Sequence, residues 1–161
     1  MIILLEIILL GLLFTIMVYI MSKNPIKTLY NYPPKIQEKV KSMKEYKDKV
    51  PTEKNKIFAK VMASLIIIII VSLVLRYING YTTFKETFLS AFLIWSVINI
   101  YDVVVLDILW FCRSPKFVFK GTEDMIGEYH NYLFHVKGGI IGEFIGIAIS
   151  LIIGLVVGFI L

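Results

Sequence analysis

Four long apolar stretches dominate the pattern of hydrophobic and polar positions along the chain. They cover residues 1–21, 57–78, 84–112 and 138–161. Each is long enough to cross a hydrocarbon layer of roughly 30 Å, which takes about 20 helical residues. None shows the alternation with a period of two that is typical of a transmembrane barrel strand. The pattern predicts an all-α membrane protein with four transmembrane helices, built as a single domain over residues 1–161.

Composition agrees with this class. Hydrophobic residues make up 58% of the chain and charged residues only 18%, and the mean hydropathy is +0.79. These values exclude a water-soluble globular domain of this size. The single cysteine, Cys112, excludes a disulfide within the chain, and no cofactor is expected.

The distribution of lysine and arginine predicts the topology, because basic loops are retained on the cytoplasmic side. Between Lys23 and Lys60 there are eleven lysines and only four acids, so the loop 23–56 is expected to be cytoplasmic. The polar segment 113–137 carries Arg113, Lys116 and Lys120 and is expected on the same side. Both termini would then be extracytoplasmic, in a multi-pass protein of the cell (plasma) membrane.

The two cytoplasmic segments have different predicted structures. In the first, Ile36, Val40, Met43 and Val50 share one helical face, which predicts a basic amphipathic helix lying on the anionic inner leaflet. Nucleic acid is not an expected partner, because the loop lacks the arginines that form bidentate contacts with phosphate. In the second segment, a helical hairpin, we expect an extended interfacial stretch whose Arg113, Lys116 and Lys120 contact headgroups or phosphate, followed by a helix over 123–136.

Ionisable residues inside or beside the last two spans are the candidate chemistry. Asp102 shares a helical face with Asn99 near mid-span, and a carboxylate there costs about 2.5 to 3.5 kcal/mol on insertion scales, so it should face protein or water. Asp107 is offset from Asp102 by about 140° on a regular helix and could instead pair with Arg113 or be hydrated. A structural, hydrogen-bonded carboxylate is an equal alternative for Asp102. The full set of candidate ligand or ion-site residues is Asn99, Asp102, Asp107, Glu128, His130, His135 and Glu143.

The two histidines do not predict a metal site by themselves. On a regular helix over 123–136, His130 and His135 lie about 140° apart and cannot form a ligand pair of the i, i+4 kind. Glu128 and His135 do share one face of that helix. A metal site would therefore need ligands from elsewhere in the chain.

The fourth span carries a small residue at every fourth position, which we call the small-residue ridge: Gly138, Gly142, Gly146, Ser150, Gly154 and Gly158. Such glycine zippers allow two helix backbones to approach closely in lipid. The sequence leaves open whether the partner is the third span of the same chain, the fourth span of a second copy, or another membrane protein.

Several runs of residues in and between the third and fourth spans resemble those of known proteins. These runs are Asn99-x-x-Asp102-x-x-x-x-Asp107-x-x-Trp110-Phe111-Cys112, Gly121-Thr122-Glu123-Asp124-Met125 and Tyr129-His130-Asn131-Tyr132-x-Phe134-His135-x-Lys137-Gly138. They resemble a family of small, uncharacterised four-span membrane proteins from bacteria. The resemblance implies the four-span fold and implies no function.

Three functions remain open from the sequence. The first is an intramembrane polar site, facing the cytoplasm, that binds a cation, proton or small polar ligand for transport. The second is an accessory or structural subunit that docks through the small-residue ridge. The third is a metal-dependent membrane enzyme acting on lipid headgroups, so the sequence does not decide whether the chain is an enzyme.

Overall fold

The computed structural model describes residues 2–161, apart from the side chain of Lys56. Met1, which the prediction placed in the first span, lies outside the described residues. The described chain is 83% helical and contains no strand. Four of its helices are long and apolar enough to cross a membrane, namely Ile2–Ser22, Ile57–Tyr77, Phe84–Arg113 and Tyr132–Phe159. The predicted all-α class and the four potential spans are thus confirmed, and they indicate a membrane protein.

The α-helices follow the chain in a simple order. They are α1 (Ile2–Ser22), α2 (Pro34–Ser42), α3 (Glu53–Tyr77), α4 (Phe84–Tyr101), α5 (Ile126–Tyr129) and α6 (Tyr132–Phe159). Pro33 and Pro34 open α2, where a missing backbone N–H costs nothing. The side chains of Thr52 and Thr83 cap α3 and α4 by accepting hydrogen bonds from Asn55 N and Glu86 N.

The helix predicted over 123–136 is divided in the structure. A 3₁₀ turn, Glu123–Met125, leads into the short α5, and the chain breaks at His130 before α6 begins. The Asn131 side chain starts α6 by accepting a hydrogen bond from Phe134 N at 3.1 Å. His135 therefore belongs to the fourth long helix, which starts at Tyr132 and not at residue 138.

Helix α6 packs against α4 along the small-residue ridge. A Cβ atom built on Gly146 would lie 2.1 Å from Trp95 Cδ1, and one built on Gly158 would lie 2.8 Å from the backbone nitrogen of Phe84. Gly154 lies against Phe84 and Phe88 in the same way. Because these glycines of α6 have no side chains, the aromatic residues of α4 can approach the α6 backbone.

Helix α3 joins the bundle through its second half. Leu75 is fully buried in one cluster with Ala91 and Ile94 of α4 and with Ile149 and Ile153 of α6. The first two turns of α3 are exposed, with Phe58 at 66%.

The two polar connections fold together into a small second core, which we call the loop core. It consists of Ile26, Leu29, Tyr32, Ile36, Val40, Phe117, Phe119 and Tyr129. Ile36 and Val40 are fully buried in it, so the apolar face of α2 packs on protein and not on the inner leaflet as predicted. Phe117 and Phe119 are likewise buried and do not dip into headgroups. Aromatic side chains from both loops contact one another, as in the Tyr32–Phe119 and Tyr32–Tyr129 pairs, and such pairs bury large apolar areas.

Candidate functional site

Polar side chains of α4 bind the backbone of α6 that its glycines leave open. Trp95 Nε1 donates a hydrogen bond to Gly142 O at 3.0 Å, and Asn99 Nδ2 donates to Gly139 O at 2.9 Å. A Cβ on Gly142 would lie 2.7 Å from Asn99 Oδ1, so the glycine is needed for this approach. The ridge thus positions Asn99 at the centre of the α4–α6 contact.

Glu143 has two donors in the same contact. Its Oε1 accepts from Asn99 Nδ2 at 2.7 Å, and its Oε2 accepts from Ser96 Oγ at 2.9 Å. Hydrogen bonds to both oxygens lower the cost of holding a carboxylate within a span. Glu143 therefore has a structural role that the sequence did not specify, and Asn99 links it to the residues of the next turn.

The third span changes its helical geometry where its acidic residues lie. Residues Asp102–Trp110 form a π-helix, in which hydrogen bonds run from residue i to residue i+5. The wider turn brings residues five apart onto the same side of the helix, whereas a regular α-helix would separate them by about 140°. Asp102 and Asp107 consequently face the same side, contrary to the offset expected from the sequence.

His135 of α6 pairs with the second of these carboxylates. Its Nδ1 lies 3.0 Å from Asp107 Oδ2, and the residue is only 4% exposed. The buried thiol of Cys112 also lies close to the imidazole. Nε2 is buried and has no hydrogen-bond partner within residues 2–161.

These groups line one cavity of about 490 Å³. Its polar lining includes Asn99, Asp102, Asp107 and His135. Its apolar side includes Phe14, Met17, Val18, Ile141 and Ile145, from α1 and α6. The cavity lies at the end of the bundle that carries the loop core, because Tyr32 and Phe117 of that core also line it.

The Asp102 carboxylate is one of the polar groups of this cavity that lack a hydrogen-bond donor within residues 2–161. No described residue donates a hydrogen bond to it, and its electrostatic neighbours are Asp107 and His135. The hydroxyl of Tyr32 is also buried without a partner among the described residues. Burial, with a smaller effect of Tyr129, raises the pKa of Tyr32 above its usual range, so this hydroxyl stays protonated.

Other predicted site residues lie away from the cavity. Glu128 pairs with Lys35 of α2, and this hydrogen bond raises the pKa of the Lys35 ammonium. His130 is exposed and stacks on Tyr132, with ring centroids 6.4 Å apart. The predicted headgroup or phosphate contacts are exposed at the same end of the molecule: Arg113, Lys116 and Lys120.

Tyr32 and Lys60 are among the cavity residues that the sequence analysis missed. Tyr32 lies in the first loop, and Lys60 lies in the first turns of α3. Lys60 was counted only as part of the basic loop. The Pro33-Pro34 pair directly after Tyr32 indicated a fixed backbone there, but nothing local indicated which cavity the tyrosine would reach.

The fold and the site together describe a chain with four helices that can span a membrane and with a cavity, lined by two aspartates, at one end of the bundle. Among residues 2–161, no group of three or more histidine, cysteine, aspartate or glutamate side chains is arranged to hold a metal ion. No family model, no functionally described protein and no solved structure matches the chain significantly. Function is therefore inferred from the cavity itself.

Proposed function

We propose that the cavity binds a cation, a proton or a small polar ligand, and that the protein moves this ligand across the membrane. The observation that carries the proposal is the Asp102 carboxylate, which has no donor among the described residues and lines a cavity of about 490 Å³. A carboxylate inside a span is costly unless something pairs with it. A cationic or proton-bearing ligand would supply that partner.

The pair beside Asp102 supports the same function. Asp107 Oδ2 and His135 Nδ1 are 3.0 Å apart, and the second ring nitrogen of His135 has no hydrogen-bond partner among the described residues. Histidine and carboxylate groups in contact can accept and release protons near neutral pH. Proton movement through the Asp107–His135 pair would couple transport of the ligand to a proton gradient.

We further propose that the cavity opens towards the cytoplasm of the cell, at the plasma membrane. The support is the excess of lysine between Lys23 and Lys60, on the loop that folds over the cavity. Both termini would then be extracytoplasmic. The exposed Arg113, Lys116 and Lys120 would face the anionic inner leaflet from the same side.

The small-residue ridge favours packing within the chain over docking of a separate subunit. Gly142, Gly146, Gly154 and Gly158 each have a residue of α4 within the space that a Cβ would need. A second copy or another protein would have to displace α4 from these glycines. We therefore propose that the glycine zipper holds Asn99 and the cavity in place. No contact of the described chain adds support to the alternative function, a metal-dependent reaction on lipid headgroups.

Transport assays on reconstituted vesicles test the proposed function. Proton flux would be measured with a trapped pH dye, and small-cation flux with labelled rubidium and methylammonium. We expect the wild-type chain to carry at least one of these probes and Asp102→Asn to abolish that flux, because the amide keeps the shape but loses the charge.

The matched control is Asp48→Asn, the same chemical change at an exposed residue of a 3₁₀ turn that is not among the residues lining the cavity. It should leave flux unchanged. Flux that persists undiminished in Asp102→Asn, or a wild-type chain that carries none of the probes, would contradict the proposal.

A further inference from the structure

We infer that the ligand is an amphiphile: a protonated amine head joined to an apolar body, which enters the cavity from the lipid. This inference rests on the proposed ligand-binding function of the cavity and specifies its ligand class. It is carried by three features of the cavity: its unpartnered polar groups, its apolar walls and its exposed rim.

The polar groups match an amine head. Asp102 is a carboxylate without a donor, and Tyr32 OH and His135 Nε2 are buried without partners within the described chain. A carboxylate accepts hydrogen bonds and an alkylammonium donates three, so the two are complementary. His135 Nδ1 lies 3.0 Å from Asp107 Oδ2, so the direct partner of this imidazole is Asp107 and not Asp102.

The size and walls of the cavity indicate an organic ligand rather than a bare ion. A volume of about 490 Å³ is that of a pocket for a small organic molecule. Phe14, Val18, Leu106 and Phe134 line it together with the polar groups. Such walls gain nothing from a hydrated ion but are stabilised by contact with an alkyl chain.

The rim of the cavity is apolar and exposed on the outside of the bundle. Met17 on α1 is 46% exposed, and Ile141 and Ile145 on α6 are 61% and 49% exposed, yet all three line the cavity. These positions belong to helices that can span a membrane. The apolar body of a ligand can therefore lie between α1 and α6 while its head reaches Asp102.

Lys60 is a basic residue that lines the same cavity, and it opposes binding of a cation. It is exposed and lies on the first turns of α3. A charge at an exposed position is screened by water and salt, whereas the spans hold Asp102 in less polar surroundings. We therefore expect the carboxylate to decide the sign of the ligand.

Binding measurements in an uncharged maltoside detergent test the ligand class. The probes are decylammonium, decanoate, decanol and methylammonium, each below its micelle-forming concentration, with binding followed by native mass spectrometry and by thermal shift. We expect decylammonium to bind one to one and about tenfold more tightly than either decanol or methylammonium, because both the ion pair and the chain contribute. Decanoate should bind weakly, and Asp102→Asn should lower decylammonium affinity about tenfold.

Two variants at the rim of the cavity test the inference even if Asp102→Asn fails to fold. Ile141→Trp places a large side chain at a position that lines the cavity, and Ile140→Trp places it at a neighbouring position that is 54% exposed and does not line it. Ile141→Trp should weaken decylammonium binding and leave methylammonium binding unchanged. Ile140→Trp should change neither.

The outcomes separate this inference from the proposed function. If methylammonium binds as tightly as decylammonium and both depend on Asp102, the cavity takes small cations and the amphiphile is wrong. If decanoate or decanol binds as tightly as decylammonium, the amine head is wrong. If no cation binds, or if binding of every cation is unaffected by Asp102→Asn, both the inference and the proposed function fail.

A second experiment distinguishes whether the ligand with the amine head is a membrane lipid or a free lipophilic amine. Protein in nanodiscs of phosphatidylglycerol, doped with phosphatidylethanolamine, is analysed for the lipid that remains bound after release. Selective retention of the ethanolamine lipid by the wild-type chain, and its loss in Asp102→Asn, would identify a membrane lipid as ligand. Binding of decylammonium without such retention would identify a free lipophilic amine.

Discussion

Individual side chains at the α4–α6 contact form hydrogen bonds with residues that are 40 or more positions away in sequence. Asn99 Nδ2 reaches both Gly139 O and Glu143 Oε1, and Ser96 Oγ reaches Glu143 Oε2. The sequence indicated that Glu143 and Asn99 needed explanation within the spans, because polar groups in lipid are costly. It could not indicate that they are each other's partners, since helix rotation and relative depth are set by packing.

The Asn99–Glu143 pair is open to a double-mutant cycle. Asn99→Leu removes the donor to Glu143 Oε1 and should lower the free energy of unfolding by about 1–3 kcal/mol, the cost of leaving a buried acceptor unpaired. In a Glu143→Leu background the same substitution should cost clearly less, because the acceptor is already gone. Unfolding in detergent measures both values, and additive effects of the two substitutions would show that the residues do not interact.

Glu128 is a residue whose expected neighbour was wrong. The sequence placed it on a helical face with His135, but the break before α6 separates the two, and Glu128 pairs with Lys35. The partner lies 93 positions away in sequence. Only the folding of the two loops onto each other brings this lysine near, so no local pattern could have indicated it.

At the scale of helices, the four spans follow from hydropathy alone, but the π-helical segment does not. Residues Asp102–Trp110 contain neither proline nor glycine, which are the usual sequence signals of a helix distortion. The consequence is large, because the wider turn directs both Asp102 and Asp107 into one cavity. π-helical turns are frequently found at functional sites, which agrees with this placement.

The small-residue ridge gives a prediction for one helix pair. Gly146→Ala adds a Cβ where Trp95 Cδ1 is 2.1 Å away, and the Trp95 ring is held by its hydrogen bond to Gly142 O. Overpacking of this kind costs about 1–3 kcal/mol. We expect a lower thermal midpoint in detergent for Gly146→Ala.

Gly138→Ala is its matched control, since a Cβ at Gly138 has nothing within 4 Å. That variant should keep the wild-type midpoint or exceed it slightly, because alanine favours the helix over glycine by about 0.5–1 kcal/mol. Equal behaviour of the two alanine variants would mean that α4 does not contact the ridge as described.

At the scale of the whole molecule, the main difference between expectation and structure is the loop core. The amphipathic periodicity of Ile36 and Val40 was recognised, and so was an interfacial stretch with Lys116 and Lys120, but each segment was assigned to the membrane surface by itself. A single sequence gives no information on whether an apolar face meets lipid or another loop. The loop core matters for function because Tyr32 belongs to it and also lines the cavity.

Tyr129 provides a test of this core. Its hydroxyl contacts Thr122 Oγ1 at 2.7 Å and accepts a hydrogen bond from Phe119 N at 3.1 Å, and the residue is only 2% exposed. Tyr129→Phe leaves the Phe119 N–H without that partner and should cost about 1–3 kcal/mol of unfolding free energy.

Tyr132→Phe makes the same chemical change three residues further on, at a side chain that is 42% exposed. It should be neutral within about 0.5 kcal/mol, as surface substitutions usually are. If Tyr129→Phe is equally neutral, the two loops do not form a packed core around this hydroxyl.

The central claim is that Asp102 lies in a cavity that water and ligand can reach within a membrane span. Its most direct test is thiol labelling of single-cysteine variants in native membranes, on a Cys112→Ser background. Asp102→Cys is compared with Val104→Cys, which lies two residues further on, is 46% exposed and does not line the cavity. A charged, water-soluble thiol reagent should label position 102 rapidly and position 104 slowly, because thiols react in water and not in lipid. Equal labelling at both positions, or none at 102, would contradict the account.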